Sequence, residues 1–151
     1  MADDRILELY RREADSGEYS RIRALWKAHS IAEDDRDIPG LMATLTDDCL
    51  YEIPQTGDAW HGKEGAERFY RDLLSAFPDV HFDLQNIVIG PQGVFEEAHV
   101  TGTHARQWLN YEPSGRKTEF YVLIYFPWDS EAARFSGERI SFWGFKPAAK
   151  G

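Results

Sequence analysis

The apolar residues of this chain change period once, and that change limits the folds open to it more than any other feature. Up to Ala76 they recur at helical spacing, interrupted by one short strand-like run. After Phe77-Pro78-Asp79 they alternate, and they keep alternating to Phe145. The residue before a proline is driven out of the helical region, so Phe77-Pro78 marks a physical boundary as well as a change of pattern. Ile6, Leu9 and Tyr10 predict a first helix within the opening fifteen residues, ending near Ser16-Gly17. Ile22, Leu25, Trp26 and His29 predict a second helix from Ser20 to Glu33. Asp37 is placed to cap a short third helix, with Pro39 in its first turn. Cys49 to Pro54 reads as a strand, Gln55 to Asp58 as a turn, and Lys63 to Ala76 as a helix with Ala66, Phe69, Tyr70 and Leu73 on one face. Four long strands follow: Val80 to Ile89, Val94 to His104, Lys117 to Trp128 and Arg134 to Phe145, with a hairpin turn at Gly90 to Gly93. Helices followed by an antiparallel meander give an α+β fold in which helices cover one face of a curved sheet.

At 151 residues the chain suits one folding unit. A formal charge of −9, with no Lys/Arg stripe, argues against a nucleic-acid partner, because phosphate affinity needs clustered cations. The one cysteine, Cys49, has no partner for a disulfide and reads as a small buried residue. No apolar signal core or membrane-length apolar run is visible, so the expectation is a cytoplasmic protein with no membrane partner. No HxxxH, HxH or CxxC spacing offers a metal site, and no GxGxxG or P-loop offers a nucleotide site, so neither metal nor cofactor is expected.

His29 and Glu33 lie four residues apart on one helical face, with Trp26 a turn earlier. If that face meets a cavity, Glu33 can orient the imidazole as a general base; otherwise the two form an ordinary helix-surface pair. Tyr51 and Glu52 alternate, so only one of them faces inward. Glu97, His99, Thr101 and Thr103 share one strand face opposite Val94, Ala98, Val100 and Gly102, and that polar row is either the outer side of the sheet or a wet pocket wall. His61 and His104 read as structural or rim residues, and His81 is assigned no role.

Four segments, "LMATLTDDCLYEIP", "WHGKEGAERFY", "VTGTHARQWLNYEPSGRK" and "GERISFW", occur in an order and spacing that resembles the SnoaL-like polyketide cyclases of the NTF2-like superfamily, over roughly residues 20 to 145. The resemblance implies an α+β cone, a strongly curved antiparallel sheet wrapped around N-terminal helices, enclosing a deep cavity and commonly forming a homodimer. It divides the chain into an extra N-terminal helix at 1–19 and a SnoaL-like domain at 20–147. Residues Ala105 to Pro113 become the connection between two central strands, with Trp108, Leu109 and Tyr111 at the rim or against a partner.

In the family pattern an Asp of the last strand, a His of the preceding strand and an Asn of the first strand serve an aldol ring closure. Here those places fall on Ile140, Ile124 and Tyr51, so the usual apparatus is absent from them. The expectation is therefore a cofactor-independent enzyme that transfers protons in a cyclisation, isomerisation or hydration. Its substrate would be a small, largely apolar compound carrying a carbonyl, hydroxyl or epoxide. His29 would act as base, Glu33 as its orienter and Tyr51 as hydrogen-bond donor, with Trp26, Tyr70, Val122, Ile124, Ile140 and Phe142 as the binding wall. The alternative is a non-catalytic ligand-binding or dimeric interaction module on the same fold.

Overall fold

The structure, a computed structural model, describes residues 3–147. Helices α1 (Asp4–Arg11), α2 (Ser16–Asp34) and α3 (Ile38–Ala43) precede strands β1 (Leu45–Ile53) and β2 (Asp58–His61); helix α4 (Gly62–Ala76) then leads into β3 (His81–Gly90), β4 (Gly93–Thr103), β5 (Lys117–Asp129) and β6 (Arg134–Trp143). Aspartates Asp3, Asp15 and Asp37 begin the first three helices, each side chain accepting a backbone N–H of the first turn. Ser16-Gly17 thus opens α2 instead of closing α1, because the Asp15 carboxylate takes the Glu18 N–H at 2.8 Å. Among the described residues no helix is long and apolar enough to cross a membrane.

The six strands form one curved sheet in the order β2-β1-β6-β5-β4-β3. All neighbours are antiparallel except β1 and β6, which run parallel. The chain's last strand is therefore inserted between its first strand and β5. β2 is the element that the sequence pattern conceals: its four residues sit inside a stretch that reads as turn and helix start.

Two glycines permit close approaches between strands. A Cβ on Gly93 would stand 2.0 Å from the Phe126 carbonyl oxygen, and one on Gly137 would stand 1.9 Å from that of Leu50, both glycines lying at positive φ.

One sheet face packs on α2 and α4 around Tyr51, Phe69, Tyr70, Phe77, Phe120, Phe135 and their neighbours. Cys49 is buried there as a packing residue. The row Glu97, His99, Thr101 and Thr103 lies on the outer face, since Val94, Ala98, Val100 and Gly102 are the buried ones. Trp108 corrects the expectation of a rim residue. It is 5% exposed and closes one end of the core against Phe77, Phe120, Phe142 and Phe145. Burial of so large an apolar surface outweighs its place in a connecting segment. His104 stacks on Phe77 with ring centroids 5.0 Å apart, and burial pushes its imidazole below its ordinary pKa.

Candidate functional site

Helix α2 carries Ile22, Trp26, His29 and Glu33 along one face and buries Ile22 and His29 against the sheet. A buried imidazole needs partners for both nitrogens, and His29 has them. Its Nδ1 lies 2.7 Å from Thr44 Oγ1, at the end of α3. Thr44 donates its own hydroxyl hydrogen to the Leu41 carbonyl at 2.7 Å, so toward His29 it can only accept, and Nδ1 carries a hydrogen. Nε2 lies 3.1 Å from Glu138 Oε1 and 3.0 Å from the Tyr70 hydroxyl. Tyr70 donates to the same Glu138 oxygen at 2.8 Å, and the Tyr51 hydroxyl is 2.9 Å from that of Tyr70. A lone pair on Nε2 and a bare carboxylate oxygen would repel at this distance, so one proton lies between them. The pair is either imidazolium with carboxylate or imidazole with carboxylic acid. Burial, and then the Glu138 charge, push the hydroxyls of Tyr51 and Tyr70 well above the usual tyrosine pKa, so both stay protonated.

Two neighbouring spaces adjoin this network. A mouth pocket of about 230 Å³ is lined by Trp26, His29, Glu33, Phe82, Glu96 and Phe126, among others. A narrow inner slot of about 30 Å³ is walled by Phe69, Val122, Ile124, Glu138, Ile140 and Phe142 with further apolar groups. Glu33 and Phe82 line both and form the partition. In place of the deep cavity implied by the resemblance, large aromatic side chains fill most of the interior. Larger depressions of about 720 and 500 Å³ lie around Lys117–Glu119, away from His29.

Glu96 reaches inward from β4 and accepts the Trp26 indole N–H at 3.1 Å. Loss of water, and then the nearby Glu138 charge, raise its carboxyl to about 8. Burial first, then the charges of Glu138 and Glu96, raise that of Glu33 well above the ordinary carboxylate range. Among the described residues no group of three His, Cys, Asp or Glu side chains could hold a metal ion.

The residues expected from the sequence separate into three places. Val122, Ile124, Ile140 and Phe142 meet in the inner slot, where Ile124 and Ile140 are directly paired across β5 and β6. Trp26 and His29 line the mouth. Tyr51 and Tyr70 line neither space, and both direct their hydroxyls into the polar network.

Two expectations need correction. Glu33 makes no hydrogen bond to His29; Glu138, reaching in from β6, is the carboxylate that contacts His29 Nε2. The last strand is also not devoid of acid, since Glu138 stands two residues before Ile140 and so on the same face. Glu138, Glu96 and Thr44 were missed by sequence reasoning. Alternation held the signal for the two glutamates, each of which shares a face with apolar core residues: Glu138 with Ile140 and Phe142, Glu96 with Val94 and Ala98.

A family model described as the SnoaL-like domain matches residues 22–143. Among solved structures, the chain is similar to a candidate SnoaL-like polyketide cyclase from Jannaschia sp. CCS1, with a TM-score of 0.70, 16% identity, and coverage of 87% of this chain and 90% of that one. It is also similar to wild-type IdmH, a candidate polyketide cyclase from Streptomyces antibioticus, at TM-score 0.64, 22% identity, and 80% and 91% coverage. An LEH-like epoxide hydrolase of M. tuberculosis aligns at TM-score 0.62 and 17% identity, covering 82% and 84%. A comparison with curated protein sequences finds no match.

Proposed function

From the premise that this chain belongs to the SnoaL-like domain family, we propose that it is a small-molecule enzyme that moves a proton within its substrate and needs no cofactor. The observation that carries this reading is the 3.1 Å contact between His29 and Glu138, a buried pair holding one proton beside a pocket. His29 and Glu138 act together as the base. With both imidazole nitrogens already engaged, the Glu138 carboxylate takes a proton from an acidic C–H or O–H of the substrate while His29 holds the shared proton, and a proton that has exchanged with solvent is returned to another substrate atom, so no redox partner is needed. Thr44 holds the imidazole in one tautomer. Tyr70 and Tyr51 stabilise the Glu138 charge through the hydroxyl chain. Glu33, whose carboxyl is raised well above the ordinary carboxylate range, donates in its neutral form a hydrogen bond to an oxygen on which negative charge develops.

The walls Trp26, Val122, Ile124, Ile140 and Phe142 hold the apolar part of the molecule and exclude water. Neighbours that include candidate polyketide cyclases and an epoxide hydrolase support cyclisation, isomerisation or hydration as the reaction class. The test is solvent deuterium incorporation into a panel of small carbonyl compounds, followed by NMR. His29→Ala should slow exchange at least a hundredfold; exchange within threefold of wild type would remove His29 from the mechanism.

A second reading rests on the 30 Å³ inner slot: an interior so filled suits a ligand-binding or interaction module without turnover. Tight binding with no exchange in any compound would favour it.

A further inference from the structure

The mouth pocket combines groups that the His29–Glu138 pair does not need. Three aromatic rings, Trp26, Phe82 and Phe126, wall it, and carboxyl groups enter from opposite sides, Glu33 from α2 and Glu96 from β4, with Asp34 at the edge. No Lys or Arg is among the lining residues. Arg36, the cation whose charge acts on Glu33, gives its guanidinium to the Val80 and Glu33 main-chain carbonyls. Glu33 has no side-chain hydrogen bond, and Glu96 uses one oxygen, toward Trp26. The two carboxyls face one space of about 230 Å³, smaller than a drug-sized pocket.

We propose that this pocket receives a small organic cation, an alkyl- or arylammonium group held between the Glu33 and Glu96 carboxyls and the faces of Trp26, Phe82 and Phe126. The proposal rests on the reading of this pocket as the place where the substrate binds, and it names the substrate's charge class. Aromatic faces attract ammonium groups through their quadrupoles, most strongly where water is excluded. An ammonium group gains an ionised partner in Glu96 that a neutral ligand does not, and an anion would be repelled by the carboxylate. The formal charge of −9 over the whole chain favours approach of a cation for the same reason.

The charged and titratable groups facing Glu96 are His29, Glu33 and Asp34 of α2, with Arg36 just beyond, and Glu138 of β6; β3 offers only Phe82 and Leu84. Burial, and then the Glu138 charge, raise the Glu96 carboxyl to about 8. An entering ammonium group stabilises the ionised carboxylate, so binding releases a proton below that pH and tightens as pH rises through it.

The experiment is calorimetric titration of the full chain with benzyltrimethylammonium, benzyl alcohol and phenylacetate. The expected result is at least tenfold tighter binding of the cation than of either counterpart. Its affinity should rise between pH 6.5 and pH 8.5 while that of benzyl alcohol stays flat, and Glu96→Gln should lose at least tenfold for the cation alone. Equal or better binding of the alcohol or the acid, or a pH-independent cation affinity in the wild-type protein, would overturn the proposal. The wild-type pH series needs no variant, so it decides the matter even if Glu96→Gln fails to fold. Cation binding without deuterium exchange in any substrate would leave this inference standing and count against the proton-transfer reading.

Discussion

His29 Nε2 and Glu138 Oε1 stand 3.1 Å apart although 109 residues of chain separate them, and each side chain is only 3% exposed. Removing one member of such a buried pair leaves the other without compensation. Glu138→Ala should lower the stability by about 3–5 kcal/mol. Substituting both members by apolar residues, His29→Leu with Glu138→Leu, should recover part of that loss, because nothing charged is then stranded. Urea denaturation of the two singles and the double variant measures the coupling; additive losses would show that the two side chains do not interact.

Thr44 fixes the imidazole by accepting its Nδ1–H. In Thr44→Val that acceptor disappears, and the buried N–H costs roughly 1–3 kcal/mol if it finds no other partner. Long-range proton–nitrogen NMR of the histidine rings should show Nδ1 of His29 protonated in the wild type. In the variant the Nδ1 resonance should shift, while those of the other histidines remain unmoved. An unchanged His29 spectrum would show that Thr44 does not set the tautomer.

The raised carboxyl of Glu96 makes the fold more stable in mild acid than in mild base. Between its ordinary value of 4.5 and about 8 the unfolded chain has lost this proton and the folded chain retains it, so stability falls as pH rises across that interval. Glu33 acts in the same direction. Glu96→Gln keeps an acceptor for the Trp26 N–H and abolishes the titration. Its melting temperature should exceed that of the wild type by about 2–4 °C at pH 8 and match it at pH 4.5. A wild-type melting temperature that climbs from pH 5 to pH 8 with the same slope in both proteins would contradict this.

Gly137 places Glu138. Its φ of +131° and the 1.9 Å separation between an added Cβ and the Leu50 oxygen leave no room for alanine without moving β6 away from β1. Gly137→Ala should cost at least about 2 kcal/mol. It should also disturb the His29 ring signals more than Gly115→Ala does, where a Cβ would meet nothing within 4 Å. Comparable effects of the two substitutions on His29 would separate the strand junction from the site.

Much of the fold is legible in the sequence because periodicity reports which face is buried. The switch after Pro78, the Asp37 cap and the hairpin near Gly93 are all local signals. β2 is not legible, because a four-residue edge strand has too few alternations to stand out. Nor is the parallel pairing of β1 with β6, which depends on where the sheet closes and not on either strand alone. His29, Trp26 and the wall of Val122, Ile124, Ile140 and Phe142 could be nominated from faces. The partner of His29 could not be read in this way. The i to i+4 spacing points to Glu33, whereas the hydrogen bond goes to a residue brought over by long-range strand pairing.

The central insertion of β6 also bears on how the protein forms. Helix α2 and strands β1, β4 and β5 precede it in the chain, yet β1 and β5 become neighbours of a common strand only when the final strand slots between them. During synthesis, then, the imidazole of His29 waits without its carboxylate, and the sheet remains in two halves, until β6 has emerged. Such distant pairing makes for slow folding. The closing of the sheet and the completion of the proton-holding pair are one event, so a chain stopped before Glu138 would lack both the site and the strand that joins its two halves.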